Sequence, residues 1–223
     1  MTLPGILSLW DQSDEFNEII KIIQNNDTYE LHIFGLNDSA CSLFISAMQN
    51  EAEKPFLIIT DTQEHALQIY QDISTFLNDS HDNKIEIFLF PSLDVLPYED
   101  ISPDPQIIQR RINLLKELVL NKKNQKITVL VADIKAILPK LASPQAFKKS
   151  SWEFKIGDKL KKDDFLDILI DQKYHSVEVV EERGEFSSRG GIIDFFPIAS
   201  ENPIRLELFG DQIESLRYFS PSS

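Results

Sequence analysis

The stretch Gly35-Leu36-Asn37-Asp38-Ser39-Ala40-Cys41-Ser42 comes nearest to phosphate chemistry in residue type and spacing. After the first strand of an α/β sheet, glycine amides and a helix N-terminus converge on an anion. Gly35 and Ser42 fall where the pattern G-x-x-x-x-G-K-[ST] wants its first glycine and its hydroxyl, but Ala40 replaces the second glycine and Cys41 the lysine. No cation then offsets a triphosphate, and Asp38 adds a carboxylate where the anion would lie. The expectation is an inactive nucleotide site, kept as a strand-to-helix turn with Asp38 or Ser39 as N-cap. ATP binding at this turn is the competing reading.

Nucleophilic and metal chemistry find less support. Cys41 is the only thiol, and its neighbours Ala40, Phe44 and Ile45 place it toward a core, where thiols are inert. His32, His65, His81 and His175 lack metal-ligand spacing. Pairs such as Glu99-Asp100 and Asp163-Asp164 suit a solvated surface or a helix start. No catalytic residue and no metal site is expected.

A different chemistry, recognition, is written into the last strands. At period two, Ile204, Leu206 and Leu208 point one way, and Arg205, Glu207 and Phe209 the other. With Arg189 on the neighbouring hairpin, the second face combines arginine and aromatic anchors, which are enriched in protein interfaces. Alternatively, Phe209 tucks under the Gly210 turn and Arg205 pairs with neighbours of Glu207. Periodicity leaves both open.

These residues need elements to carry them. From Glu30 to Ala132, the apolar runs Leu31–Phe34, Phe56–Ile59, Ile85–Phe90 and Ile127–Val131 read as buried strands. Helical patterns over 61–77 and 106–120 alternate with them, and another over 13–25 precedes the first. Such alternation predicts right-handed βαβ units on a parallel sheet. After Leu141 the composition becomes that of a linker, and a boundary is placed near residue 150. Beyond it lie five of the seven glycines. The short strands Val177–Val180, Ile192–Phe196, Ile204–Phe209 and Ile213–Phe219, with one helix around Asp163–Asp171, predict a mainly antiparallel α+β domain. The expected organisation is thus α/β: a degenerate P-loop-like domain over 1–150 and a small α+β domain over 151–223.

With 223 residues, 42% of them hydrophobic and 26% charged, the chain can bury a globular core. Its formal charge of −14 disfavours nonspecific attraction to nucleic acid. A lone cysteine fits a reducing cytoplasm, and no run is long enough to cross a membrane; the opening residues do not read as a signal peptide.

Two strings remain too particular for generic packing: FPSLDVLPYEDISPDP, followed by Arg110-Arg111, and VVEERGEFSSRGGIIDFFP with PIRLELFGDQIESLRYF after it. They closely resemble the N-terminal UvrB-homology module, domains 1a and 2, of the bacterial transcription-repair coupling factor (Mfd) family. The resemblance runs from about Leu31 to Phe219. It implies a full-length, cytoplasmic, ATP-dependent DNA translocase that displaces stalled RNA polymerase and recruits UvrA for nucleotide excision repair. ATP with Mg, DNA and RNA polymerase would be handled beyond this segment, which would need no cofactor. The missing lysine at Cys41 matches the coupling factors and not UvrB, and the aromatic hairpin with which UvrB grips DNA is also missing. A UvrB-like ATPase or DNA-binding repair protein is the alternative. On the coupling-factor reading, Arg189, Arg205 and Phe209 match the positions that contact UvrA.

Overall fold

The computed structural model describes residues 7, 9–25, 30–37, 39–78, 85–95, 102–120 and 127–220. Asp38, His81 and the 96–101 part of the proline-studded loop lie outside these residues. The chain divides into two compact units, Met1–Leu93 with Asn121–Leu141, and Asp94–Leu120 with Ala142–Ser223.

In the first unit, helix α1 (Asp14–Gln24) starts at Ser13, whose Oγ accepts the Phe16 N–H at 3.2 Å, an ordinary N-cap. Its apolar stripe lays Phe16 and Ile20 on Phe44 and Ala47 of α2 (Ser39–Ala52). Trp10 and Phe16 each meet the Phe44 ring edge-on, with centroids 4.9 and 5.7 Å away. Three parallel strands follow in the order β1-β3-β2: β1 (Phe56–Thr60), β2 (Ile85–Phe90) and β3 (Ile127–Asp133). Helix α3 (Gln63–Asn78) connects β1 to β2 and packs Ala66, Ile69, Ile73 and Leu77, spaced three or four apart, on Val129 and Val131. Ile73, Val129 and Val131 are wholly enclosed, and each such burial contributes about 1.5–3 kcal/mol.

Leu31–Phe34 departs from expectation. It is not a strand; Leu31 and Ile33 are exposed, and Phe34 is 88% exposed. Three apolar residues around His32 are too few to specify a strand partner, and the sheet ends instead at β1, whose Leu57 and Ile59 are also exposed. The helix expected between β2 and β3 forms as α4 (Pro105–Leu120) and belongs to the second unit, with Arg111 and Leu114 buried on it. A single short helical turn, α5 (Ile134–Ile137), is capped by Asp133 at the end of β3.

The second unit contains a helix where the composition suggested only a linker. Ser143 caps α6 (Pro144–Lys149) by accepting the Ala146 N–H at 3.2 Å, with Pro144 at the first position, which overrides the coil-like composition. Helix α7 (Lys162–Asp171) then lies on a five-stranded sheet in the order β4-β5-β6-β7-β8: His175–Ser176, Glu185–Arg189, Ile192–Phe195, Ile204–Phe209 and Gln212–Tyr218. Only β4 pairs in parallel; the other pairings are antiparallel. Phe165 and Leu169 of α7 close over Phe186, Ile193, Phe195, Leu206 and Ile213.

Val177–Val180 is a second correction: the strand is β4, two residues earlier. Glu181 and Glu182 donate their N–H groups to the Glu185 carboxylate at 2.9 and 2.8 Å. That local bonding bends the chain back before a longer ladder can form, and Glu185–Arg189, the approach to the expected hairpin, becomes β5. The whole is an α/β protein with one parallel and one mainly antiparallel sheet. Among the described residues no helix is long and apolar enough to cross a membrane.

Candidate functional site

The turn that came nearest to phosphate chemistry keeps its backbone shape. Gly35 has φ +85°, a left-handed conformation that glycine adopts without strain, and Ala40 N–H bonds the Asn37 carbonyl at 3.0 Å as α2 begins. Its side chains do not converge on an anion. Ala40 is exposed and Cys41 half-buried, less enclosed than expected, with burial pushing the thiol pKa up. Ser42 is completely buried and its Oγ has no hydrogen-bond partner, whereas a P-loop hydroxyl faces the metal and phosphates. Asp38 lies outside the described residues. The segment before the turn is exposed and unpaired in any sheet, so a strand does not aim it.

No group of three His, Cys, Asp or Glu that could hold a metal ion occurs among the described residues. His32 lies 3.4 Å from Glu30 and His65 3.1 Å from Asp61, both on the surface. The buried carboxylate of Asp133 accepts from Ser92 Oγ at 2.6 Å and from the Ala136 N–H at 3.2 Å; these bonds tie the ends of β2 and β3 together.

The recognition face is assembled by the second sheet. Leu206 is buried and Leu208 packs on the same core, while Arg205, Glu207 and Phe209 occupy the opposite side of β7, as period two requires. Phe209 is 79% exposed beside the tight turn at Gly210; it does not tuck under that turn. Register places Asp194 of β6 directly opposite Arg205, and Ile192 opposite Glu207. Arg189, opposite Ile192, is exposed at the end of β5, and its Nη2 donates to the Glu178 carbonyl at 2.5 Å. The sheet thus brings Arg189, Arg205 and Phe209 onto one side, with the half-exposed Ile192 among them.

Sequence reasoning missed three partners on this side. Asp194 holds Arg205 through two parallel bonds, Nε to Oδ1 and Nη2 to Oδ2, each 2.7 Å. The Phe219 ring lies under the same guanidinium, 5.1 Å from its Cζ. Arg217 donates to Glu207 at 2.5 Å. The Asp194 hydrogen bond is the main cause that raises the Arg205 pKa, keeping it charged. Asp194 has outward parity in the sequence, but Phe219, six residues after the buried Ile213, reaches the outer side only through the one-residue register shift between β7 and β8, and the strand register sets both against Arg205.

The chain is an α/β protein whose second sheet displays arginines, an isoleucine and an uncovered phenyl ring on its outer side. Residues 152–223 match the UvrB interaction domain family. Over 218 residues, 98% of its length, the chain is 31% identical to the transcription-repair-coupling factor of Bacillus subtilis (strain 168), covering 18% of that protein. It is 28% identical to the same-named protein of Staphylococcus haemolyticus over 96% of the chain and 17% of the relative. For that of Escherichia coli K12 the identity is 28% over 84% of the chain and 16% of the relative. The resemblance to the UvrB-homology module of bacterial transcription-repair coupling factors therefore extends over nearly the whole chain, which spans less than a fifth of the length of these curated relatives.

Proposed function

We propose that this chain is the recruitment module of a transcription-repair coupling factor, which docks UvrA through Arg189, Arg205 and Phe209 and performs no chemistry itself. The observation that carries the reading is the exposed ring of Phe209 on the same strand side as Arg205, within a segment of the UvrB interaction domain family. A solvent-exposed phenyl ring flanked by arginines supplies the apolar area and directional donors on which interface hot spots depend.

Nucleotide plays no part in this module. The turn at Gly35 lacks a lysine, and its Ser42 hydroxyl is enclosed in the fold. ATP with Mg, DNA and RNA polymerase belong to other parts of a cytoplasmic ATP-dependent translocase of which this module is a segment. The formal charge of −14 supports assigning duplex binding elsewhere.

Calorimetric titration of purified UvrA with the chain and with Arg189→Ala, Arg205→Ala and Phe209→Ala tests the reading. Saturable binding is expected, weakened by about 1–3 kcal/mol for each truncation at a hot spot. Unchanged affinity in both Arg205→Ala and Phe209→Ala would remove this face as the docking surface.

A further inference from the structure

We propose that Ile192 and Phe209 together form an apolar notch on the docking face, and that this notch receives one apolar side chain of UvrA. The inference rests on the docking reading above; it adds Ile192 as a contact residue and names the chemistry of the group that meets it.

The solvated side of a sheet that is packed on one side only is ordinarily polar. Helix α7 packs on the inner side of this sheet, and Asp194, on the outer side of β6, obeys the rule. Ile192, two residues earlier on the same strand and the same side, does not. Ile192 is 38% exposed and Phe209 79%. Isolated apolar residues on a surface are ordinary, but these two adjoin. Ile192 lies directly opposite Glu207, and Phe209 follows Glu207 on the same side of β7. Phe209 is thus the diagonal neighbour of Ile192, about 7–8 Å away along the sheet and within reach of an aromatic side chain.

The exposure of Ile192 has a cause in its flanking strands. Arg189 stands opposite it on β5 and Glu207 opposite it on β7, and a long charged side chain can cover apolar surface with its stem. Both are bonded in the other direction. Arg189 Nη2 donates to the carbonyl of Glu178, in the segment after β4, and β4 lies beyond β5 from Ile192. Glu207 accepts from Arg217 of β8, which lies beyond β7. The two bonds run away from β6 and leave the isoleucine uncovered between them.

Neither side chain of the notch has a hydrogen-bonding atom. A polar group of the partner set against Ile192 and the Phe209 ring would lose water and gain no hydrogen bond from them, whereas an apolar group gains by leaving water. Arg189, Glu207 and Arg217 stand around the contact as a polar rim. An apolar anchor enclosed by such a rim is the arrangement in which truncation weakens an interface most.

The test is calorimetric titration of UvrA with the complete 223-residue chain at several temperatures, with thermal unfolding recorded for each variant. Ile192→Thr keeps the β-branched shape that suits a strand and exchanges apolar surface for a hydroxyl. It is expected to weaken binding about fivefold or more and to make the heat-capacity change of binding less negative, because less apolar surface is buried. Ile192→Leu, which stays apolar, is expected to bind within about threefold of the unsubstituted chain. In the double variant Ile192→Thr/Phe209→Ala the loss should fall short of the product of the two single losses, because both side chains meet the same group. Unchanged or tighter binding by Ile192→Thr, with Phe209→Ala impaired, would mean that no apolar group reaches Ile192; this overturns the proposal and leaves the docking reading standing. A loss in Ile192→Leu as large as that in Ile192→Thr would make Ile192 a support of the strand and also overturn it, as would single losses that multiply in full. No effect of Ile192→Thr, Phe209→Ala or Arg205→Ala would remove the docking face itself and the proposal with it. Should Ile192→Thr abolish the unfolding transition, Ile192→Val, one methylene smaller, is expected to weaken binding about two- to fourfold; unchanged affinity there would overturn the proposal.

Discussion

Gly191 and Leu208 meet backbone to backbone: the Leu208 N–H donates to the Gly191 carbonyl at 2.7 Å, and a Cβ built on Gly191 would stand 2.6 Å from the Leu208 carbonyl oxygen. This close approach fastens the turn between β5 and β6 to the outer end of β7. Arg189 and Phe209 sit at that same end of the sheet, so the fit between two backbones sets the spacing of two proposed anchors.

Gly191→Ala is therefore expected to destabilise the chain by about 1–3 kcal/mol, since a rigid carbonyl and not a flexible side chain must give way. Gly190→Ala is the control. Gly190 has φ +59° but nothing within 4 Å of a Cβ, so only the left-handed backbone cost of about 1–2 kcal/mol applies. Chemical denaturation of the two variants checks this: the Gly191 loss should equal or exceed the Gly190 loss, and UvrA affinity should fall in Gly191→Ala. A harmless Gly191→Ala would mean that the two backbones are not closely held.

Phe209→Ala separates binding from folding. With four-fifths of the ring in solvent, its removal should change stability by no more than about 0.5 kcal/mol while lowering UvrA affinity. Leu206, three residues earlier on the inner side of β7 and completely enclosed, should behave in the opposite sense: Leu206→Ala is expected to cost about 2–5 kcal/mol of stability through the cavity it leaves. Thermal unfolding alongside calorimetry distinguishes them, and a large stability loss in Phe209→Ala would contradict an exposed ring.

Much of this was readable from residue order, for identifiable reasons. The helices α1, α3 and α4 have apolar residues every three or four positions over three turns or more, a signal long enough to survive any tertiary context. The outward set Arg205, Glu207 and Phe209 follows from alternation alone because Leu206 and Leu208 fix the inner side. Leu31–Phe34 failed because three apolar residues interrupted by His32 say nothing about which strand will pair with them. Val177–Val180 failed because side-chain bonding by Glu185, ahead of its own strand, redirects the backbone. Asp194 was the costliest miss. Its pairing with Arg205 depends on the register of two hairpins, and the glycines and loop lengths that set it act through geometry that no period expresses.

Cys41 gives a pH-dependent check on the first unit. Burial raises its pKa, so at a given pH the folded chain holds less thiolate than an open cysteine does. Because the folded value lies above the unfolded one, the unfolded chain gives up its proton first as pH rises. The protonated thiol is thus compatible with the fold below the unfolded pKa, and stability declines once pH passes it. Alkylation by iodoacetamide should be slower than for a free cysteine, with its pH profile displaced upward. A rate at or above that of free cysteine near neutral pH would mark Cys41 as an activated nucleophile and contradict its assignment as inert.

Nucleotide binding gives the last prediction, because a bound ligand must stabilise the fold that holds it. At a hundredfold excess over its Kd a ligand adds about 2.7 kcal/mol, enough to raise the unfolding temperature by a few degrees. Millimolar ATP with Mg is expected to leave thermal unfolding of this chain unmoved. The double variant Ala40→Gly/Cys41→Lys restores the second glycine and the lysine of the phosphate pattern, yet is also expected to remain unmoved, since the Ser42 hydroxyl is enclosed and no strand precedes the turn to aim it. A shift in the unsubstituted chain would overturn the inactive turn. A shift confined to the double variant would mean that the missing cation alone disabled the site and that the burial of Ser42 is no obstacle to phosphate.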